Sequence, residues 1–366
     1  MRYHDPLKKI LSQMRPYWDQ DETRPAVRQA FGKALQCRTP ELGAEVYGLD
    51  SHELIINHTC KSRPCSSCGY RATVQWQRER WAALPDALYK GITFTMPDVL
   101  WPIFRDNPRL AKALSALAAK IIQAQVSARY GLRVGVIAIL HTFNGKLEFN
   151  SHVHIMVTGG GHGSTGTWVP SVYYKHEMLM EAWRKAVIKL LRAALRAGHL
   201  HTKMPLDQME ALLTQQEKRW WSIKIQAFKS KEHFLKYAGR YLRRPPIAQR
   251  RITYIGERTV TFWVKDKKQH RRLYVQCSLE EFIDRWAQHI PERYQHAVRA
   301  FGLFAPRALG QTSAAIFTIL GQRPRPRPKP RRWAESLKQD FGYDPLLHDT
   351  GQRMKWVRRL PPKASR

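Results

Sequence analysis

Residues 132–158 predict a β-hairpin that any fold of this chain has to contain. The segment reads LRVGVIAILHTFNGKLEFNSHVHIMVT, with two apolar stretches on either side of Asn144 and Gly145. Asn-Gly is the strongest short-range signal for a hairpin turn, because both residues adopt a positive φ at little cost. The simplest pairing, with these two residues as the whole turn, places His141 opposite Glu148. The sequence therefore predicts two antiparallel strands joined by a tight turn.

The second strand of this hairpin carries two histidines around one valine. Alternate side chains of a strand point to opposite faces, so His152 and His154 share one face while Val153 lies on the other. Two imidazoles on a rigid strand would supply two ligands of a metal site. A pair of partly exposed histidines on the polar face of a sheet explains the same pattern, and both interpretations stay open. The same spacing recurs at His199 and His201, which follow a helix-ending glycine and are predicted to lie in an exposed loop.

The charge balance indicates a polyanionic partner. The 366 residues include 62 Lys and Arg against 29 Asp and Glu, a formal net charge of +33. Nucleic acid is the commonest cellular polyanion, and the 12 Trp and 14 Tyr offer rings on which unpaired bases stack. A ribosome-associated or simply basic protein is the alternative. No apolar run reaches membrane-spanning length and the first residues lack the core of a signal peptide, so we expect an intracellular protein with no membrane partner.

Four of the five cysteines lie between residues 37 and 68. The segment HTCKSRPCSSCGY contains three of them with C-x4-C-x2-C spacing. In a reducing cytosol, clustered cysteines hold metal more often than they form disulfides. Structural zinc takes four N or S ligands, so we predict Zn²⁺ held by Cys37, Cys60, Cys65 and Cys68, with His52 and His58 as alternative ligands. Cys277 lies in a strand-like run and is predicted to be a core residue.

Two tyrosines lie four residues apart in the segment HFLKYAGRYLRRPP. Tyr237 and Tyr241 share one face of a predicted helix. Aromatic pairs at this spacing usually pack in a core. Basic residues surround both phenols, however, and suggest that a phosphodiester passes over them; these predicted DNA-binding residues are Lys236, Arg240, Arg243 and Arg244.

The rest of the sequence alternates helical and strand patterns. We predict helices over residues 5–35 and about residues 72–88, 99–104, 110–130, 176–197 and 231–243, and strands over YKGITFTMP, RRITYI, RTVTFWVKD and RRLYVQC. Ser278 and Glu281 form a capping box that opens one more helix. Alternating Pro and Arg in GQRPRPRPKPRRW cannot form a helix or a sheet, so this segment is predicted to be an extended basic linker.

Taken together, these segments resemble the rolling-circle transposases of the insertion sequence 91 family, two-tyrosine members of the His-hydrophobic-His endonuclease superfamily. The similar blocks are CRTPELG, CKSRPCSSC, YKGITFTMP, GVIAILHTFNGKLEFNSHVHIMVTGGG, FLKYAGRYLRRPPIAQRRI, VTFWVKD and EEFIDRWAQHIPERYQHAVRAFGLFAPR. The resemblance implies an α+β fold with an RRM-like antiparallel sheet and flanking helices, preceded by a small helical and zinc-binding module. We predict a helical arm over residues 1–35, a zinc-binding module over 36–75, an endonuclease domain over 76–310 and a basic Pro/Arg-rich tail over 311–366.

The resemblance also implies a mechanism. His152 and His154, with His141 as third ligand, would hold a catalytic Mg²⁺ or Mn²⁺, and Tyr237 or Tyr241 would cut single-stranded DNA at transposon ends and form a 5′-phosphotyrosine. In the hairpin register given above, His141 would lie roughly 13 Å along the strand from His152, at about 3.3 Å per residue, unless a bulge closes the gap.

No nucleotide cofactor is expected, because the phosphotyrosine conserves the energy of the broken bond. The nearest match to a phosphate-binding loop, residues 161–166, is followed by Thr167 where a Lys is required. The implied location is the bacterial cytoplasm, in association with the nucleoid.

The cysteine region departs from the family pattern. Glu45, Leu49 and His52 stand where relatives often have a His and two Cys, and Pro64 replaces a usual His, so we predict one zinc instead of two. The tail segment LLHDTGQRM lacks a cysteine pair of some relatives, and no metal is assigned to it. Two other functions stay open: a plasmid replication initiator or relaxase with the same chemistry, and a non-catalytic zinc-containing DNA-binding protein.

Overall fold

The chain forms two compact units, each built from segments that are distant in sequence. The computed structural model describes the backbone of residues 5–62, 65–242, 245–266 and 269–363, and within these ranges the side chains of all residues except Ser66, Ser67, Arg240, Tyr241, Leu242, Leu309 and Gln311. The first unit contains Met1–Trp76, Arg243–Ile290 and Pro328–Arg366, and the second contains Gln77–Leu242 and Pro291–Arg327.

Helices and antiparallel strands alternate along the described residues. The helices are α1 (Pro6–Gln13), α2 (Arg15–Trp18), α3 (Pro25–Gln36), α4 (Ser66–Ala83), α5 (Trp101–Asp106), α6 (Pro108–Tyr130), α7 (His176–Arg196), α8 (Leu206–Lys218), α9 (Lys231–Leu242), α10 (Leu279–Ala287), α11 (Pro306–Ile319) and α12 (Trp333–Phe341). The strands are β1 (Ala44–Leu49), β2 (His52–Asn57), β3 (Tyr89–Phe94), β4 (Leu132–Arg133), β5 (Gly135–Phe143), β6 (Phe149–Thr158), β7 (Gly161–Gly163), β8 (Trp168–Val169), β9 (Ile223–Phe228), β10 (Ile252–Ile255), β11 (Thr259–Lys265), β12 (Arg272–Ser278), β13 (Val298–Gly302) and β14 (Lys355–Leu360). No described helix combines the length and the apolar character needed to cross a lipid bilayer.

The second unit is organised around a five-stranded antiparallel sheet in the order β13-β5-β6-β3-β9. One face is apolar and fully buried, with Val153, Ile155 and Val157 of β6 in the core. The long helices α6 and α7 supply the other half of this core, and the ring of Trp183 from α7 lies 5.0 Å from that of Phe94. The opposite face of β6 carries the histidines. The predicted α+β class, with an antiparallel sheet and flanking helices, is confirmed.

The hairpin between β5 and β6 forms as predicted, but its predicted register is wrong. Its loop is not a two-residue turn: the Asn144 amide donates to the Glu148 carbonyl at 3.1 Å, and Leu147, fully buried, takes a φ of 64°. A bulge between His141 and Phe143 adds one further residue to β6. The longer loop and the bulge together move the partner of His141 from Glu148 to His152.

The first unit contains two three-stranded sheets, β14-β1-β2 and β10-β11-β12. Helix α10 begins at the predicted capping box, where the Glu281 amide donates to Ser278 Oγ at 3.1 Å. Cys277 is buried, as predicted.

The two units differ from the contiguous division expected from sequence. Residues 243–290, predicted within the endonuclease domain, pack with the N-terminal residues. The predicted tail also contributes, because β14 pairs with β1, which places Leu360 opposite Ala44 and gives the β1–β2 hairpin its third strand. The Pro/Arg segment over residues 322–332 has neither helix nor strand, as predicted. Functional boundaries at residues 35, 75 and 310 stay a prediction.

Candidate active site

Three histidines from β5 and β6 converge on one face of the central sheet. His141 lies directly opposite His152 in the strand register, and His154 is two residues further along β6. The ring centroids are 4.9 Å apart for His141 and His152, and 4.8 Å for His152 and His154. The structure thus brings together the three residues that the family resemblance implies as metal ligands.

The geometry of the three rings fits a single cation. One ring nitrogen from each histidine lies within 4.8 Å of the other two, and Nδ1 of His141 is 3.2 Å from Nε2 of His152. Neighbouring ligands of an octahedral ion with bonds of about 2.1 Å lie about 3 Å apart. Nδ1 of His152 is 2.7 Å from the Asn150 carbonyl, to which it can only donate, so Nε2 keeps its lone pair for a metal.

Tyr237 of α9 reaches this group of histidines. Its hydroxyl oxygen lies 3.4 Å from Nδ1 of His154, and the same nitrogen is 3.1 Å from Oγ1 of Thr93 on β3. The phenol ring packs against Phe228 of β9 at 5.1 Å. Sequence reasoning missed Thr93, because the sequence does not say which strand lies next to β6.

Aromatic packing fixes α9 on the sheet. Phe234, one turn before Tyr237, is fully buried and stacks on Tyr89 of β3 at 4.3 Å. Gly91 lies on the same face of β3, and a side chain at this position would press against the ring of Phe228 at 3.0 Å. Helix α9 therefore presents Tyr237 to the histidines from a rigid support.

A buried lysine anchors the first turn of α9. The side chain of Lys231 is 5% exposed; its ammonium group donates to the carbonyls of Trp81 and Leu84, each at 3.0 Å, and pairs with Asp86 at 2.7 Å. Arg325 of the Pro/Arg segment also pairs with Asp86 and stacks over the Trp81 ring. Burial lowers the pKa of Lys231. No sequence pattern predicts this network, because a lysine among many basic residues is expected to be exposed.

Of the four predicted DNA-binding residues, the structure describes only the side chain of Lys236. Lys236 is exposed and pairs with Glu232 at 2.7 Å on the same helix. The side chains of Tyr241 and Arg240, and all of Arg243 and Arg244, lie outside the described part of the chain, although the backbone of Tyr241 belongs to α9. The second His-x-His copy lies in coil after α7, with His199 exposed, as predicted.

The four N-terminal cysteines form a second group in the first unit. They come from the end of α3, the segment after β2 and the start of α4, and their four Sγ atoms lie within 4.8 Å of one another. Sγ of Cys68 is 3.6 Å from that of Cys37 and 3.7 Å from that of Cys60. A zinc tetrahedron with Zn–S bonds of about 2.3 Å has sulfurs about 3.8 Å apart, so the group fits zinc.

The two histidines predicted as alternative zinc ligands, His52 and His58, have other partners. Nδ1 of His58 donates to the Leu42 carbonyl at 3.0 Å, and its Nε2 lies 3.1 Å from Glu45. The ring of His52 lies 5.0 Å from that of His348. Neither belongs to the group of four sulfurs.

Comparison with known proteins gives matches along most of the chain. Residues 9–96, which include the four cysteines, match the family "Transposase zinc-binding domain". Residues 135–311, which include the three histidines and both tyrosines, match a family described as "Putative transposase".

Two curated proteins are similar over most of their lengths. The chain is 33% identical over 325 residues to "Transposase for insertion sequence element IS801" of Pseudomonas savastanoi pv. phaseolicola. The aligned region covers 84% of this chain and 77% of that protein. It is 28% identical over 337 residues to "Putative transposase y4qJ" of Sinorhizobium fredii, with 87% and 85% covered. No solved structure matches the chain.

Proposed function

Since the chain belongs to the insertion sequence 91 family of transposases, we propose that it cuts and rejoins single-stranded DNA at the ends of its element, in rolling-circle transposition, through a covalent 5′-phosphotyrosine. The observation that carries this proposal is the position of the Tyr237 hydroxyl, 3.4 Å from His154 within the group of three histidines. If a cation bound to the histidines holds the scissile phosphate, a phenol at that position would be available to attack it.

His141, His152 and His154 are the proposed ligands of a catalytic Mn²⁺ or Mg²⁺. When bound, the ion would neutralise and orient the scissile phosphate, which otherwise repels nucleophiles. Imidazole nitrogen suits manganese better than magnesium, which prefers oxygen ligands. The Asn150 carbonyl orients the His152 ring, and Thr93 lies against the His154 ring.

Tyr237 is the proposed nucleophile. Its hydroxyl oxygen attacks phosphorus, the bond from phosphorus to the 3′ oxygen breaks, and the phenolic proton ends on that departing oxygen. The products are a 5′-phosphotyrosine and a free 3′-OH, so no oxidant, reductant or nucleotide is consumed. Attack by another 3′-OH on the phosphotyrosine reverses the step and rejoins the strand.

Tyr241 is the proposed second nucleophile, one helical turn after Tyr237. Two phenols on one helix allow one strand to stay covalently held while the other phenol receives the next strand. Lys236, Arg240, Arg243 and Arg244 are proposed to bind the DNA backbone. The exposed Lys236–Glu232 pair does not prevent this, because such surface pairs contribute little and a phosphate can replace the carboxylate.

The proposed metal site is tested with His152→Ala and His154→Ala. Each variant should lose cleavage of single-stranded fragments from the element's ends in Mn²⁺, while the dissociation constant for DNA stays within about twofold, because most of the positive charge lies elsewhere. His199→Ala and His201→Ala are the matched controls and should cleave normally. Normal cleavage by both His152→Ala and His154→Ala would remove the active site from β6.

A further inference from the structure

The sheet β10-β11-β12 in the first unit has one buried and one exposed face. Val260, Phe262 and Val264 of β11 are buried, and the ring of Phe262 lies 5.9 Å from Phe282 of α10. The residues that alternate with them point to the opposite face. This second face carries aromatic and basic side chains, a combination that a purely structural sheet surface does not need.

Three aromatic residues stand together on the exposed face. Trp263 pairs directly with Tyr274 across β11 and β12, and Tyr254 of β10 pairs with Thr261, two residues before Trp263. Opposite residues on one face have Cβ atoms about 5 Å apart and diagonal neighbours about 7–8 Å. Tyr254 is 58% exposed and Tyr274 is 62% exposed. The strand register therefore places three aromatic residues on one face, and the side chains of Tyr254 and Tyr274 are exposed there.

The central ring is held in a fixed orientation. The Trp263 indole nitrogen donates to the Arg250 carbonyl at 3.1 Å, and Nε of Arg251 donates to the Trp263 carbonyl at 2.8 Å. The guanidinium of Arg272 lies 4.6 Å from the centre of the indole ring. This contact places the cation over one face of the Trp263 ring.

The surroundings of the three rings are strongly basic. Lys265 pairs with Arg272 in the strand register, and both are exposed. Residues 250–278 contain eight Lys and Arg against two acidic residues, Glu257 and Asp266. A ligand for this face has to combine flat apolar groups with negative charge, and single-stranded nucleic acid has both.

We propose that Tyr254, Trp263, Tyr274, Lys265 and Arg272, here called the aromatic face, bind single-stranded DNA at a second surface outside the histidine–tyrosine site. Unpaired bases stack on the rings, while the cations neutralise the phosphates between them. A duplex cannot use this face in the same way, because its bases are stacked on each other. DNA is the assigned ligand because the chain is a transposase; the binding itself does not depend on the proposed cleavage chemistry.

The first test measures binding of a labelled oligothymidylate to the full chain by fluorescence anisotropy without added divalent cation. Trp263→Ala and Tyr274→Ala should each weaken binding about fivefold or more, the loss expected for one stacked base. Tyr254→Phe and Tyr274→Phe keep the rings and should bind normally. Tyr343→Ala is the matched control, since Tyr343 is 63% exposed in the first unit but lies outside the aromatic face.

The second test uses salt dependence to separate stacking from charge. Lys265→Gln and Arg272→Gln should each reduce the slope of log K against log salt by about 0.7, the value for one phosphate contact to a single strand. Trp263→Ala and Tyr274→Ala should weaken binding and leave this slope unchanged. A changed slope in the aromatic variants would show that they disturb the charged residues and would overturn the stacking assignment.

Three further results would overturn the proposal. The first is unchanged binding of single-stranded DNA by the Trp263→Ala, Tyr274→Ala double variant. The second is a loss of affinity for duplex DNA in this variant that equals its loss for single-stranded DNA. The third is a preference of the unmodified chain of about tenfold or more for the matching RNA over DNA. Absence of an adduct in the unmodified chain would defeat the proposed cleavage and leave the binding result standing.

Discussion

At the scale of single residues, the group of three histidines depends on the alternation of side chains along β5 and β6 and on the register between these strands. His152 and His154 share a face because strand side chains alternate strictly, and this rule needs no knowledge of the turn. The partner of His141 depended on the loop length and on the bulge, which tertiary packing of Leu147 helps to set. The net shift from Glu148 to His152 is even, so His141 stayed on the predicted face although its predicted neighbour was wrong.

The cysteine group leads to a prediction about metal content. Cys65→Ser or Cys68→Ser should release about one equivalent of zinc per chain and destabilise the first unit, because a structural zinc site contributes directly to folding free energy. Elemental analysis of the purified protein measures the zinc, and Cys277→Ser, a buried cysteine outside the group, should keep it. Zinc-free native protein, or full zinc in Cys68→Ser, would contradict the assignment.

At the scale of elements, the sequence located most of the described helices but only about half of the strands, and it did not predict the contacts that orient them. Helix α9 was predicted from its pattern, yet its orientation depends on the stacking of Phe234 on Tyr89 and on Lys231 at its first turn. These contacts join segments about 150 residues apart, as the bond from Lys231 to Trp81 shows. Local sequence carries no information about such partners.

The anchor of α9 gives a prediction about stability. Lys231→Met should lower the free energy of unfolding by about 2–3 kcal/mol, because it leaves two carbonyls without their donor and removes one cation from Asp86. Lys236→Met on the same helix removes only an exposed ion pair and should leave the free energy of unfolding nearly unchanged. Urea denaturation of both variants makes the comparison. Equal stability of the two variants would show that the buried network does not hold the helix.

The same network should respond to acid. Partial burial of Asp86 opposes its ionisation, but hydrogen bonds from Lys231 and Arg325 outweigh this and lower the pKa of its carboxyl group. A lowered pKa contributes stability that is fully present above the ordinary aspartate pKa of about 3.9 and is lost as the pH falls through the lowered value. Asp86→Asn should therefore reduce the stability difference between neutral and acidic pH in urea titrations.

At the scale of the whole molecule, chain order and spatial order differ. The sequence predicted a zinc module, an endonuclease domain and a tail in succession, whereas residues 243–290 and 328–366 pack with the N-terminal unit. Strand β14 could not be assigned from sequence because its pattern is basic and mostly exposed, and its partner β1 lies about 300 residues away. The family relationship favours a transposase over a replication initiator, a relaxase or a non-catalytic DNA-binding protein.

The covalent protein–DNA adduct tests the central claim most directly. The full chain is incubated with Mn²⁺ and single-stranded fragments of its own element's ends, and the products are separated under denaturing conditions. In this assay we expect an adduct linked through a 5′ phosphate in the unmodified chain and no adduct in the Tyr237→Phe, Tyr241→Phe double variant. In a separate transposition assay, each single variant should be blocked. Tyr254→Phe should form the adduct normally. An adduct in the Tyr237→Phe, Tyr241→Phe double variant, or a protein linked to the 3′ end, would contradict the two-tyrosine mechanism.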